Sequence, residues 1–88
     1  MTPSARGRLI WKIGDLILEH AEELAYLESL NVGLPIRNVK AAHIPRAARN
    51  FEFFAEVASQ AAGQVYTQTR PYLSYVTREP VGVGGLIG

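Results

Sequence analysis

The sequence contains no cysteine among its 88 residues. A thiol nucleophile, a zinc-thiolate centre, a redox motif and a disulfide framework are therefore excluded within this chain. A chain of this length buries only about 60–65% of its unfolded surface on folding, and its expected stability is a few kcal/mol. The sequence thus predicts one small unit at most, with a thin hydrophobic core.

Excess charge and long apolar runs are also scarce. Nine Lys and Arg residues stand against eight Asp and Glu residues, so the formal net charge is +1. A total this close to neutral indicates neither a nucleic-acid binder nor a protein that seeks acidic surfaces. No apolar run approaches the roughly 18–20 residues that cross a bilayer, and no apolar signal core follows the first positive charges. We therefore expect a cytoplasmic, unexported protein with no membrane partner and no nucleic-acid partner.

The charges that are present are unevenly distributed. Residues 15–28 hold five acids, namely Asp15, Glu19, Glu22, Glu23 and Glu28. Residues 37–49 hold no acid and four bases, namely Arg37, Lys40, Arg46 and Arg49. Each three-residue step turns a helical position by about 60°, so these bases spread around a helix and form no single basic stripe. Both segments are interpreted as solvated surface.

The first half of the chain has the apolar period of helices. Pro3 and Ser4 offer a helix start. An apolar stripe then recurs every three or four residues, at Leu9, Ile13, Leu16, Ile17 and His20. The pattern extends towards Leu27, with a possible kink, and the segment 31–35 should end it, because Gly33 can adopt a left-handed conformation and Pro35 cannot continue the helix.

A second helical region is predicted between Asn38 and Gly63. Asn38 could cap a short turn through residue 42, and Pro45 suits a first helical position. Ala48, Phe51, Ala55, Ala58 and Ala62 then recur every three or four residues up to Gly63. This small-residue stripe predicts close packing against another element. The three phenylalanines of this helix are expected in the core (Phe51, Phe53 and Phe54).

After Gly63 the apolar period becomes two. Residues 65–69 and 73–77 alternate around Arg70-Pro71, which predicts a β-hairpin. Pro80 ends it, and residues 81–87 read as a third strand that is apolar, glycine-rich and followed only by Gly88. A buried apolar strand requires neighbours on both sides. We therefore predict an α/β fragment that is incomplete as a domain, the opening of a larger α/β fold.

Candidate chemical groups are few. The spacing Gly-x-Gly-x-x-Gly of a dinucleotide loop fails at Ile87 when counted from Gly82, and no helix follows. His20 and His43 lack the spacing of metal ligands; His20 is predicted to interact with helix-end carbonyls, and His43 to lie in a turn. The glutamates have no perturbing partner, and the serines lack a nucleophile elbow. No catalytic residue and no metal ligand is predicted.

Particular stretches nevertheless resemble a known family. Segments 13–17 (IGDLI), 23–30 (ELAYLESL) and 33–35 (GLP) resemble, in this order, the N-terminal helices of NAD(P)-dependent aldehyde dehydrogenases. Segment 51–55 is similar to the family's "FRYYA" helix, and residues 78–83 read "REPVGV", a stretch of the same family. The sequence of these stretches is most similar to the branch of betaine-aldehyde and hydroxymuconic-semialdehyde dehydrogenases.

The resemblance implies a division of the chain. Residues 1–63 would be the helical part of the cofactor domain, 64–80 the hairpin of a sheet that pairs subunits into a homo-oligomer, and 81–88 the truncated first strand of the dinucleotide fold. By position, Ile87 and Gly88 are the candidate contacts to NAD or NADP. The family's oxyanion asparagine, cofactor lysine, general-base glutamate and nucleophilic cysteine would all lie beyond Gly88.

The sequence and the resemblance therefore leave two candidate functions. In the first, the chain is part of an oxidoreductase that converts an aldehyde or semialdehyde to a carboxylic acid with NAD(P), and alone it neither binds the cofactor nor turns over substrate. In the second, it is a non-catalytic interaction module that associates through its hairpin strands.

Overall fold

The computed structural model describes residues 1–60, 62–67 and 71–87. Helical elements fill the first two thirds of the chain, and a small sheet follows. The elements are α1 (Pro3–Glu19), α2 (Ala21–Val32), α3 (Ile36–Asn38), a π-helical turn (Val39–His43), α4 (Ile44–Val57), β1 (Gln64–Tyr66) and β2 (Ser74–Val76).

Local signals set the ends of α1. Thr2 is the N-cap, and its hydroxyl accepts a hydrogen bond from the backbone N–H of Ala5 at 3.2 Å. At the other end His20 (φ −98°, ψ 21°) interrupts the helix, so the predicted kink is present. The structure places the His20 side chain beside Glu23, with Nδ1 3.6 Å from a carboxylate oxygen, and the expected interaction with helix-end carbonyls stays a prediction.

Helix α2 ends as the sequence predicts. Gly33 adopts a left-handed conformation with φ of 78°, and its N–H donates to the carbonyl of Ser29 at 2.9 Å. The Ser29 hydroxyl donates to the carbonyl of Leu34 at 2.6 Å and so fixes the chain reversal. Ser29 thus has a structural partner, and Pro35 follows outside the helix.

The connection between α2 and α4 differs from the prediction. Asn38 has helical dihedrals and makes no capping hydrogen bond, and His43 is helical with φ of −70° and ψ of −48°, so neither residue lies in the predicted turn. The N–H of Ile44 donates to the carbonyl of Val39, which widens the helix by one residue. The widened turn keeps both Val39 and Ile44 buried beside Ala25, and this burial outweighs the local turn preferences.

Two packed regions form the interior. The first is a cluster of Ala25, Val39 and Ile44, surrounded by partly buried Ile17, Ala21, Leu24 and Leu34. The second is the α1–α4 seam, where Gly7 packs against Ala55 and Gly14 packs against Ala48. Small residues seven apart on both helices bring the backbones together, so the predicted close packing of the alanine stripe is confirmed at its two buried positions.

Helix α4 is shorter than predicted and its aromatic side chains are not in the core. It ends at Val57 rather than near Gly63. At about 100° per residue, Phe53 and Val57 lie about 140° and 180° around the helix from Ala48, so they face away from α1. Phe53 and Phe54 are 57% and 60% exposed and contact each other edge to face, with centroids 5.2 Å apart. Phe51, nearer the seam, is still 38% exposed.

The predicted hairpin is present with short strands. Strands β1 and β2 pair antiparallel, with Gln64 opposite Val76 and Tyr66 opposite Ser74. Arg70 of the predicted turn lies outside the described residues, and Pro71 lies in a turn. Residues 77–87 form neither helix nor strand, because no further strand of the described chain offers them hydrogen bonds. Their assignment to the first strand of a dinucleotide fold stays a prediction.

The overall dimensions are those of an incomplete domain. The radius of gyration is 19.0 Å and the extents are 62 × 24 × 21 Å, whereas a compact chain of this length has a radius of about 12 Å. The accessible surface is 7789 Å², compared with about 5,100 Å² for a closed monomer of this mass. The prediction of an α/β fragment is confirmed by these elements and dimensions.

Candidate interaction surfaces

The predicted cofactor contacts lie at the exposed end of the chain. Ile87 belongs to the segment without helix or strand and its side chain is 99% exposed. Gly88 lies outside the described residues. Val81, Val83 and Leu86 are likewise almost fully exposed, so no cradle for a dinucleotide surrounds Ile87. The assignment of Ile87 and Gly88 as cofactor contacts stays a prediction.

The titratable groups of α2 lie at the surface. The exposed Lys40 Nζ pairs with an Oε2 of Glu22 and links the π-helical turn to α2. The other close pair joins His20 and Glu23 on one helix face, and both side chains are more than half exposed. Within residues 1–60, 62–67 and 71–87, no three His, Asp or Glu side chains cluster as metal ligands would. These pairs are consistent with solvated surface.

A shallow cleft lies between α1 and the end of α4. It has a volume of about 250 Å³ and is lined by Ser4, Gly7, Arg8, Trp11, Ala55, Glu56 and Ser59. Arg8 Nη1 donates to Ser4 Oγ at 3.3 Å, and Ser59 Oγ donates to the Glu56 carbonyl at 2.9 Å. Each hydroxyl thus has one local hydrogen-bond partner, and the described residues place no ion pair between Arg8 and Glu56. Neither of these hydrogen bonds joins a serine to a side chain that could act as its base.

The hairpin exposes both its side chains and its outer edges. Val65 lies directly opposite Tyr75, and these side chains are 75% and 62% exposed. In the described part of the chain β1 and β2 pair only with each other, so each strand has one unpaired edge. Unpaired edges can add a strand from another chain. The hairpin is therefore a candidate surface for association.

Exposed apolar side chains also lie on α4 and, separately in the sequence, on the C-terminal segment. Phe53 and Phe54 are more than half exposed, and Val81, Val83, Leu86 and Ile87 are almost fully exposed. Exposed apolar side chains of this kind are candidates for contacts with further polypeptide.

The sequence analysis did not identify Gly7 and Gly14, the two glycines that set the α1–α4 distance. A methyl group on Gly7 would lie 2.8 Å from the Ala55 carbonyl oxygen, and one on Gly14 would lie 3.1 Å from that of Ala48. The available signal was the seven-residue interval, shared by these glycines and by the two alanines. Small residues at equal intervals on two helices indicate that the helices touch along one seam.

Within the described residues, no helix is both long and apolar enough to cross a membrane.

Comparison with known proteins identifies one family. The family model described as "Aldehyde dehydrogenase family" matches residues 1–88.

Two Escherichia coli proteins illustrate the sequence match. The chain is 45% identical over 82 residues to 5-carboxymethyl-2-hydroxymuconate semialdehyde dehydrogenase, covering 93% of this chain and 18% of that protein. It is 43% identical over 82 residues to the NADP/NAD-dependent aldehyde dehydrogenase PuuC of strain K12, covering 93% of this chain and 17% of that protein. The chain thus spans less than a fifth of the length of these relatives.

A solved structure shows the same local fold. PnpE, crystallised in complex with nicotinamide adenine dinucleotide, matches with a TM-score of 0.78 and 41% identity, over 85% of this chain and 15% of that chain. The matched 85% of this chain therefore has the fold of a segment of a much longer protein. Together with the family match over every residue, this arrangement shows that the chain belongs to the aldehyde dehydrogenase family.

Proposed function

We propose that this chain forms part of an NAD(P)-dependent dehydrogenase that oxidises an aldehyde or semialdehyde to a carboxylic acid. The observation that carries the proposal is the family match over all 88 residues, joined to 45% identity with a semialdehyde dehydrogenase. In this proposal residues 1–63 form the helical part of the cofactor domain, 64–80 form the hairpin of an oligomerisation sheet, and 81–88 form the truncated first strand of the dinucleotide fold. The location is cytoplasmic.

The 88-residue chain alone is proposed to be inactive. The chemistry requires a nucleophile that forms a covalent adduct with the aldehyde, a hydride acceptor and a water that releases the acid. The chain contains no cysteine to serve as a thiolate. Its predicted cofactor residue Ile87 is fully exposed, so the chain supplies framework to the site while the reacting groups come from elsewhere in the enzyme.

A covalent chimera tests the proposal. The 82 aligned residues of the semialdehyde dehydrogenase relative are replaced by the corresponding residues of this chain, and aldehyde-dependent NAD(P)H formation is measured. We expect kcat/KM within about tenfold of the unaltered relative, which corresponds to about 1.4 kcal/mol. The 88-residue chain, purified free of host enzymes, should show no turnover. A folded chimera without activity, or an active isolated chain, would refute the proposal.

A second candidate is association through the hairpin, in the same enzyme or in a non-catalytic module. The specific observation is the exposed pair of Val65 and Tyr75 beside unpaired strand edges. A charge on this surface should oppose pairing with another copy. We expect Val65→Lys to lower the self-association measured by sedimentation, and the equally charged control Gln60→Lys to leave it unchanged. A wild-type chain that stays monomeric at high concentration would remove this candidate.

A further inference from the structure

Two arginines lie one turn apart on the outer side of α4. At about 100° per residue, Arg46 and Arg49 are about 160° and 100° around the helix from Ala48, the residue that packs against α1. Asn50 falls within the same arc of about 100°. All three polar side chains are exposed, so one face of α4 presents two guanidinium groups and an amide to solvent.

These side chains line two hollows that adjoin each other. The first hollow has a volume of about 490 Å³ and is lined by Ala42, Pro45, Arg46, Arg49 and Asn50. The second has a volume of about 300 Å³ and is lined by Ala42, His43, Arg46, Ala47 and Asn50. Because Arg46 and Asn50 belong to both, the hollows meet along these two side chains. Neither hollow has a carboxylate in its lining.

The acids of α4 lie away from this face. Glu52 is beside Gly14 of α1, and Glu56 lines the α1–α4 cleft. Among the residues that the structure describes, neither Arg46 nor Arg49 is within ion-pair distance of a carboxylate. Like charges one turn apart on a helix repel each other. An anion that bridges the two guanidinium groups would remove this repulsion, so the face is suited to a negatively charged ligand.

An aromatic side chain lies next to the two arginines. Phe53 follows Arg49 by four residues and Asn50 by three, so it stands about 4.5–6 Å further along the helix axis. It belongs to the same arc and is 57% exposed. An exposed aromatic ring beside basic groups can stack a flat ring of a ligand whose phosphate the basic groups hold.

We propose that Arg46, Arg49 and Asn50 bind the phosphate group of a small aromatic phosphate monoester, whose ring stacks on Phe53. A guanidinium group binds phosphate through two parallel N–H···O hydrogen bonds, and the Asn50 amide supplies a further donor. The site lies on the outer face of a framework helix. It adds a binding activity to the proposed dehydrogenase function and does not rest on it.

Titration of the 88-residue chain with inorganic phosphate and with phenyl phosphate tests the site. Binding is followed by nuclear magnetic resonance at low ionic strength and neutral pH, with the shifts expected at residues 42–53. We expect a dissociation constant of about 1–10 mM for phosphate. The double substitution Arg46→Gln and Arg49→Gln should weaken binding about tenfold or more. The control Arg6→Gln and Arg37→Gln removes the same charge from two exposed arginines outside the hollows and should leave the affinity unchanged.

Phenyl phosphate tests the aromatic contact separately. Stacking on Phe53 should make phenyl phosphate bind about three- to tenfold more tightly than inorganic phosphate. Phe53→Ser should abolish this difference while the affinity for inorganic phosphate stays the same. Tyr72→Ser, at an exposed aromatic residue of another segment, should preserve the difference. Circular dichroism of each variant checks that the helices are intact.

Three results would overturn the proposal. Equal weakening by the two double substitutions would show that phosphate responds only to the total charge, which is +1 in the unaltered chain. Equal affinities for phosphate and phenyl phosphate would refute the contact with Phe53. The same titration is repeated on the folded covalent chimera, and loss of binding there would show that the rest of the enzyme covers this face. An inactive chimera that still binds phenyl phosphate would refute the proposed function and leave this site standing.

Discussion

Replacement of Gly7 by alanine should weaken the seam between α1 and α4. A methyl group at this position would lie 2.8 Å from the backbone carbonyl oxygen of Ala55, whereas carbon–oxygen contacts are normally at least about 3.3 Å. Because the obstacle is backbone, no side-chain rotation can relieve the contact. The two helices must separate by about half an ångström, and the seam then loses dispersion contacts along its length.

The expected magnitude is a balance of two effects. Overpacking costs about 1–3 kcal/mol, and the higher helix propensity of alanine returns about 1 kcal/mol. We expect a net loss of about 1 kcal/mol for Gly7→Ala, which lowers the melting temperature by about 4–8 °C. Gly14→Ala is the matched control, since its methyl group would lie 3.1 Å from the Ala48 carbonyl and needs a shift of only a few tenths of an ångström. The propensity gain is common to both variants, so their difference isolates the steric cost.

Thermal unfolding of both variants can be followed by far-ultraviolet circular dichroism and by fluorescence of Trp11. Trp11 is the single tryptophan and lines the cleft beside Ala55, so it reports directly on the seam. Gly7→Ala should melt first and Gly14→Ala close to wild type. Equal melting temperatures for the two variants, or a more stable Gly7→Ala, would refute the close-approach argument.

Three further substitutions have effects set by burial. Val39→Ala, at a fully buried position, should lower the free energy of unfolding in urea by about 1.5–3 kcal/mol, because two methyl groups and their contacts are lost. Thr2→Ala removes the acceptor for the Ala5 N–H and should cost about 0.5–2 kcal/mol by thermal unfolding, while Thr2→Ser should retain most of that stability. Glu22→Gln breaks the exposed pair with Lys40 and should change urea stability by less than about 1 kcal/mol, with still less effect at high salt; a larger loss would show that this pair is not a simple surface contact.

Sequence reasoning succeeded where the determining interactions are local. Helix hydrogen bonds join residues four apart, so the apolar period and the stop at Gly33 and Pro35 were enough to place α1 and α2. It failed at Phe53 and Phe54, because the apolar period shows which side of α4 is apolar but not what covers it. In this chain α1 packs against the alanine side of α4, and Phe53 and Phe54 stay exposed. The π-helical turn was not predicted for a similar reason, because burial of Val39 depends on contacts with α2.

Residues 81–87 show most clearly that structure depending on distant contacts cannot be read from local sequence. A strand makes its hydrogen bonds to another strand, so its formation depends on a partner rather than on its own residues. Residues 64–66 find that partner twelve or fewer positions away, in residues 74–76, and the hairpin forms. Residues 81–87 have no described partner and remain without regular structure. Their apolar pattern predicts a strand, and the position of Ile87 relative to a dinucleotide becomes defined only when a neighbouring strand fixes the direction of the segment. Regular structure in residues 81–87 should therefore form only where a neighbouring strand pairs with them.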